Sequence, residues 1–221
     1  MTPYCNINGQ LVTKASVTIP YYGLWTADVT LPIPSSSVVA GAHVQFTISN
    51  LTMLGTVYRA DSFAGLQMAR IVGGFGGWGK PVPAQSYHQQ SGVMASTVLA
   101  DAALHVGERV SVAQDQNLGQ FYERSAGYAS GVLRELSGSL WWVDPSGVTQ
   151  CGTPRADGKI VSQFVLSDFD PGLGKITAHT EDAASWLPGR SVQSSVLTTA
   201  RTLSLVHHEM ATEMVTEALA A

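Results

Sequence analysis

Residues Gly74 to Lys80 (GFGGWGK) match G-x-x-x-x-G-K, the opening of a phosphate-cradling loop, and a strand-like run precedes them. That chemistry also needs a Ser or Thr after the lysine to hold magnesium, and a helix whose first N–H groups meet the phosphate. Pro81 stands in the hydroxyl's place, and Val82-Pro83 forbids the helix. The run is expected to be a glycine-rich surface loop with a partly buried Trp78, and no nucleotide site. His207-His208-Glu209 with Glu213 is the one cluster of metal-ligand types. Zinc hydrolases set two histidines one helical turn apart in H-E-x-x-H, whereas adjacent histidines point to different faces of a strand or helix. An exposed or edge-strand pair is expected here, and no metal.

Acyl transfer through G-x-S-x-G finds no match. Ser130 lies in Gly127-Tyr128-Ala129-Ser130-Gly131, where the first glycine comes one place too early. It also falls inside a predicted helix, where a nucleophile elbow cannot form. Asp168 and Asp170 would have to flank a sugar bond to act as a glycosidase pair. They share a run with Pro171 and Gly172 and read as turn formers. Asp144 stands at a hairpin corner, where an aspartate orders the turn. Trp141-Trp142 makes a sugar platform only if both rings share a face, and neighbours on a strand do not. One ring is expected in the core and the other against a helix or a neighbour. No catalytic, cofactor-binding or metal-ligating residue is assigned, and no enzyme is expected.

The elements carrying these residues fall into three stretches. Leu11 to Ile19, Leu24 to Leu31, His43 to Ser49, Leu51 to Ala60 and Met68 to Val72 read as strands. Trp25, Ala27 and Val29 share one face of the second, and Val44, Phe46 and Ile48 one face of the third. Turn residues every 8 to 12 positions suggest a barrel or a sandwich. From about residue 90 the period becomes helical. Met94 to Val106 stacks Val98, Ala102 and Val106, with Gly107 placed for a left-handed cap. A second helix is predicted from Tyr128 to Ser137. Ser139 to Asp144 and Val148 to Cys151 then read as a hairpin across Pro145-Ser146-Gly147. The remainder returns to strand composition at Lys159 to Leu166, Lys175 to Thr180 and Ser195 to Val206, with Asp168 to Gly174 as a loop. Residues His207 to Ala221 fit two periods, and strand is preferred for their first half.

The composition agrees with a β-rich, ordered chain. Its 221 residues are 45% hydrophobic and only 13% charged, half of the ~25% usual in soluble domains, with 22 Gly and 40 Ser plus Thr. Disorder needs the opposite balance. A surface this neutral is often covered by neighbours. The net charge of −4 and the scattered Lys and Arg exclude a protein that coats nucleic acid. No apolar run approaches the ~18 residues that span a bilayer. Met1 to Gln10 lack the pattern of a secretory signal, so synthesis and retention in the cytosol are expected. Cys5 and Cys151 are expected as reduced, half-buried thiols.

The middle stretch carries a family likeness. A helix, STVLADAALHVGERV, is followed by the aromatic pair Phe121-Tyr122, then by the helix ASGVLRELSG, then directly by SLWWVDPSGVTQCG. This order resembles the hub proteins of bacteriophage tails and baseplates, a group related to the late control D proteins and to spike-bearing components of type VI secretion. The family's "WWVDxxG" hairpin corresponds to Trp141, Trp142, Val143, Asp144 and Gly147. The stretch from Val17 (VTIPYYGLWTADVTLP) through Gly55-Thr56-Val57 to Arg70-Ile71-Val72-Gly73-Gly74 is similar to the opening barrel of such hubs. The likeness spans Val17 to Pro154 and implies an α+β, mainly β fold. Two tube-like β-barrels, residues 1–90 and 153–221, would be joined by a helix-helix-hairpin α/β unit, residues 91–152. It further implies a non-enzymatic virion protein without cofactor, a ring of three copies joining the tail tube to a tip or spike. Its partners would be tail tube, distal tail, tape-measure and tip proteins, with DNA passing through the lumen unread and no membrane insertion. After Thr153 only a second β-barrel is expected, which implies a minimal hub or adaptor without an enzymatic appendage. From the residues alone, a β-sandwich reading host-cell glycans through Trp25, Trp78 and Trp141 or Trp142 is the alternative. Exposed, coplanar tryptophans would separate it from the hub.

Overall fold

The computed structural model describes residues 4–161, 163–194, 196–197 and 199–220. Seven strands open the chain: β1 (Cys5–Ile7), β2 (Gln10–Leu11), β3 (Lys14–Pro20), β4 (Thr26–Leu31), β5 (His43–Ile48), β6 (Leu51–Phe63) and β7 (Leu66–Gly73). The middle holds β8 (Pro81–Val82), β9 (Gln85–His88), α1 (Ala95–Val106), β10 (Val110–Val112), β11 (Phe121–Arg124) and β12 (Gly127–Tyr128). It continues with α2 (Ala129–Ser137), β13 (Trp141–Val143) and β14 (Thr149–Cys151). The last stretch holds β15 (Ile160–Val161), β16 (Val165–Asp170), β17 (Lys175–His179), β18 (Ser191–Val192), β19 (Arg201–Met210) and β20 (Met214–Ala220), with one 3-10 turn at Ala183–Ser185. The described residues are mainly β, as expected from the sequence.

Eleven strands lie side by side in the order β16-β17-β20-β19-β3-β4-β7-β6-β5-β1-β2. The seam is β3, which pairs with β4 on one side and with β19 on the other, from Pro20 opposite Leu205 to Ala15 opposite Met210. First and last strands of the chain therefore share one sheet. Its order has two ends, and among the described residues no ladder closes it into a barrel. The second edge of β3, which a barrel of the first seven strands would need for closure, is taken by β19.

Three clusters of buried side chains lie behind these strands. The first collects Val17, Ile19, Trp25, Phe46, Ile48 and their neighbours from β1–β7. Alternation produces it: Trp25, Ala27 and Val29 point inward while Thr26, Asp28 and Thr30 do not. The second packs α1 on α2 through Val98, Leu99, Ala102, Val132 and Leu133, with Trp78 between the helices and the sheet. Gly107 ends α1 at φ 79°, a left-handed cap as the sequence indicates, and the N–H of Glu108 donates to Ala103 O at 2.8 Å. The third gathers Ile176, Trp186, Val192, Leu203 and Val206.

Several sequence expectations are corrected. Leu11 to Ile19 is not one strand, because an Asn8-Gly9 turn with both φ positive makes a short β1–β2 hairpin before β3 begins. Lys159 to Leu166 breaks into the whole of β15 and the start of β16, with Gln163 at φ 61° between them. Asp168 and Asp170 belong to β16 rather than to a loop. A bulge after Leu166 interrupts the alternation there, which hid the strand. The strand expected over Ser195 to Val206 begins at Arg201, and Ser195 and Thr198 lie outside the described residues. The chain's last segment is a hairpin. Met210 pairs with Met214 and Val206 with Ala218, so the helical spacing of Met210, Met214 and Ala218 is the spacing of inward residues across a tight turn.

Candidate functional site

The glycine-rich run does form an anion cradle, and the chain fills it itself. Gly74 and Gly76, at φ 84° and 71°, turn the backbone so that neighbouring N–H groups converge. Phe75 N donates to Glu108 Oε2 at 3.2 Å and Gly77 N to Glu108 Oε1 at 2.5 Å. Gly77 has no space for a side chain, since a Cβ there would lie 2.4 Å from Val106 O. Burial raises the Glu108 pKa, and the N–H groups of Gly77, Phe75 and Trp78 pull against that rise. The loop is not a surface feature around a partly buried ring: Trp78 is 3% exposed and its Nε1 donates to Thr149 Oγ1 at 2.9 Å.

The histidine pair is neither exposed nor on an edge. β19 lies between β20 and β3, and His208 is wholly buried, its Nδ1 2.8 Å from Thr216 Oγ1. Burial, with His207 next to it, lowers its pKa from 6.5 to about 4, so it is neutral at pH 7. His207 faces the other way, as adjacent residues on a strand must, with Nδ1 3.0 Å from Thr18 Oγ1. Among the described residues no three metal-ligand side chains converge. Ser130 sits in the first turn of α2 with its N–H donating to Trp78 O at 2.8 Å. Asp170 accepts from the N–H groups of Gly172 and Leu173 at 2.8 and 3.2 Å, closing the turn to β17. Both cysteines are fully buried, not half-buried, and burial raises their pKa to about 12 at Cys5 and about 11 at Cys151.

The hairpin of Trp141, Trp142, Val143, Asp144 and Gly147 is where the first and second clusters meet. Asp144 orders its turn: Oδ1 accepts from Val148 N at 3.0 Å and Ser146 Oγ at 2.6 Å, and Oδ2 from Gln150 Nε2 at 2.8 Å. Gly147 takes φ 80°. The tip docks on the first half of the sheet, with Leu54 N donating to Pro145 O at 2.8 Å. On the strand, Gly23 N donates to Trp141 O at 2.7 Å, and Val143 is buried in the first cluster. Trp141 packs against both the first and the second cluster. Trp142 points the opposite way, its Nε1 donating to Thr153 O at 3.1 Å and its face covered by the Arg155 guanidinium at 4.7 Å. Arg155 Nη1 in turn donates to Pro20 O, at the end of β3, at 2.8 Å. Burial lowers the Arg155 pKa to about 10, with Asp144 opposing. The motif expected on a hairpin therefore works as a structural joint. Sequence reasoning missed Arg155 and Glu108, whose only signal is a charged residue beside a rigid turn.

The seam also creates one continuous polar sheet face. Cross-strand registers line up Asp168, Thr177, Glu217, His207, Thr18 and Thr26 in one row, and Val165, His179, Val215, Glu209, Ser16, Asp28 and Arg70 in the next. Arg70 pairs with Asp28 at 2.7 Å and Lys175 with Glu217 at 2.7 Å. Nothing on this face has the arrangement of a reacting site.

With that geometry in view, the comparisons concern shape. No family model matches the chain, and no curated protein is similar to it in sequence. Solved structures do match. The tail protein of Neisseria meningitidis MC58 superposes with a TM-score of 0.66 at 13% identity, covering 100% of this chain and 97% of that one. The 43 kDa tail protein of prophage MuSo2 from Shewanella oneidensis gives 0.69 at 9% identity, covering 100% and 98%. The fold is that of phage tail proteins. An E. coli component of the type VI secretion system, described as similar in structure to the T4 tail proteins gp27 and gp5, gives 0.63 at 11% identity over 98% of this chain and 76% of that one. Two tail proteins and a secretion component thus share a fold that the hairpin joint and the β3–β19 seam hold together here.

Proposed function

We propose that this chain is a non-enzymatic structural component of a phage-type tail, a tail or baseplate hub of the late control D kind. Three copies form a ring that joins the tail tube to a tip or spike. Residues 1–90 and 153–221 supply two barrel-like halves, and residues 91–152 the α/β unit between them. The observation that carries the reading is the β3–β19 seam, which fuses two β halves of one chain into a single sheet in a fold shared with tail proteins. Two comparable halves per subunit let three copies present six comparable positions, which is what a threefold tip on a sixfold tube requires. The polar face suits a lumen wall. Asp28, Asp61, Asp168, Asp170, Glu209 and Glu217 outnumber Lys14, Arg59, Arg70 and Lys175 on it, which favours passage of DNA without adhesion. Its partners are tube, distal tail, tape-measure and tip proteins, and its place is the virion after synthesis in the host cytoplasm. Among the described residues no helix is long and apolar enough to cross a membrane.

The carbohydrate reading needs tryptophans in a groove, and Trp25 and Trp78 are 1% and 3% exposed. Light scattering of the purified protein across a concentration series tests the hub. Assembly to about 70 kDa, three copies of 23.4 kDa, is expected, with rings by negative-stain microscopy. A mass that stays at one copy at every concentration, alone and with tube protein added, would overturn it.

A further inference from the structure

One end of the sheet is left open in an unusual way. β16 pairs with β17 alone, so the backbone donors and acceptors along its outer side have no strand partner among the described residues. Proteins commonly guard such an edge with lysine or proline. β16 (VLSDFD) has neither; its protection is a bulge and two carboxylates. Along one face run Val165, 68% exposed, then Asp168 and Asp170, and on the other face Leu166 and Phe169 are half-buried against the third cluster. At the Val165 end the strand opens into a cleft of about 870 Å³. Its acidic lining is Glu181, Asp182 and Glu213, with His179 beside them and no Lys or Arg, over Phe164 and Met214. On the opposite side of the strand the Arg201 guanidinium covers the Phe169 ring at 5.2 Å.

We propose that the outer edge of β16 receives an extended segment of a partner polypeptide that carries Lys or Arg on one face and apolar side chains on the other. Backbone pairing supplies the attachment, as in strand addition generally, and the alternate side chains supply the choice. A basic residue opposite Asp168 makes a favourable cross-strand pair, and the next basic residue along that face reaches the acidic cleft. Apolar residues on the other face extend the surface of Leu166 and Phe169. A second copy of this chain is the poorer occupant of the edge. Two β16 strands related by a twofold axis bring their Asp168 and Asp170 rows together, and like charges opposite one another repel. The inference holds whether or not the chain forms a ring.

The test uses the full-length protein and fluorescein-labelled octapeptides, read by anisotropy and by hydrogen exchange. Four peptides decide it: alternating Lys-Val, alternating Glu-Val, Lys and Val in two blocks, and alternating Lys-Val with every second amide N-methylated. Only the first is expected to bind tightly and to protect the amides of Val165–Asp170. Asp168→Lys, a change on an exposed side chain, is expected to weaken it about five-fold with an unaltered urea midpoint. Equal binding of the blocked or N-methylated peptide would show mere charge attraction and overturn the proposal. So would protection at Tyr58–Phe63 instead of β16, or no binding of any peptide. Protection of β16 on raising the protein concentration alone would assign the edge to a second copy, and would equally overturn it.

Discussion

Gly55 and Gly73 stand opposite each other on β6 and β7 because the Trp25 indole occupies the space their side chains would need. A Cβ at Gly73 would lie 2.5 Å from Trp25 Nε1, and one at Gly55 2.8 Å from the ring. Gly73→Ala is therefore expected to cost about 1–3 kcal/mol by urea unfolding, the usual range for overpacking, while Gly79→Ala, with nothing within 4 Å, stays near neutral. His208 predicts a pH dependence with a definite sign. Its pKa in the fold is about 4 against 6.5 for an ordinary histidine, so the unfolded chain binds the proton more readily. The stability it contributes is complete above pH 6.5 and is lost as the pH falls to 4, by up to about 3 kcal/mol. Urea midpoints across that window should fall for the native protein and fall much less for His208→Gln. Glu108, whose pKa is raised, slopes the opposite way, so the difference between the two proteins is the quantity to read. At this scale the sequence showed residue types but not burial. Adjacent histidines on opposite faces were legible from strand geometry. Which of them meets the core depends on β20 and β3, strands 8 and nearly 200 residues away by pairing.

The hairpin joint makes a prediction at the scale of elements. Asp144→Ala removes three accepted hydrogen bonds from one turn and is expected to cost about 1–3 kcal/mol, with faster hydrogen exchange at Trp141–Cys151. Asp168→Ala, on an exposed edge, should change the urea midpoint little. Arg155→Met removes both the guanidinium over Trp142 and its bond to Pro20 O, and should raise exchange at the end of β3 and around Trp142. Elements whose pattern is local were readable from the sequence: α1 with its Gly107 cap, α2, and the β13–β14 hairpin within one or two residues. Elements completed by distant partners were not. β9 and β11 pair Gln85–His88 with Phe121–Arg124 across α1, and nothing in either tetrapeptide announces the other. The Asn8-Gly9 turn was a usable hairpin signal, yet strands of two and three residues gave it no alternation to flank.

For the whole molecule, the way the clusters are joined sets how it comes apart. The first and third clusters are coupled by the six-residue ladder between β3 and β19, and Met210 and Met214 of the last hairpin lie inside the first cluster. Asn50 strengthens the same coupling from the far end, its Nδ2 donating to Asp182 Oδ1 at 2.7 Å and its Oδ1 accepting from Ala184 N at 2.9 Å. Separating these halves exposes a sheet seam and buried methionines at once, so they should unfold together. The second cluster is tied to the sheet mainly by Trp141, the Gly23 bridge, the Leu54–Pro145 bond and the Glu108 loop. Native-state hydrogen exchange over a urea series should therefore give β5 and β17 a common opening free energy, and α1 and α2 a lower one. Ser16→Pro, in the middle of the seam, should lower the first two together, because β3 pairs on both sides and a proline removes a ladder N–H. If β17 instead lost protection well before β5, the halves would be independent bodies that merely touch. The single sheet would then be a product of packing rather than the element that holds the chain in one piece.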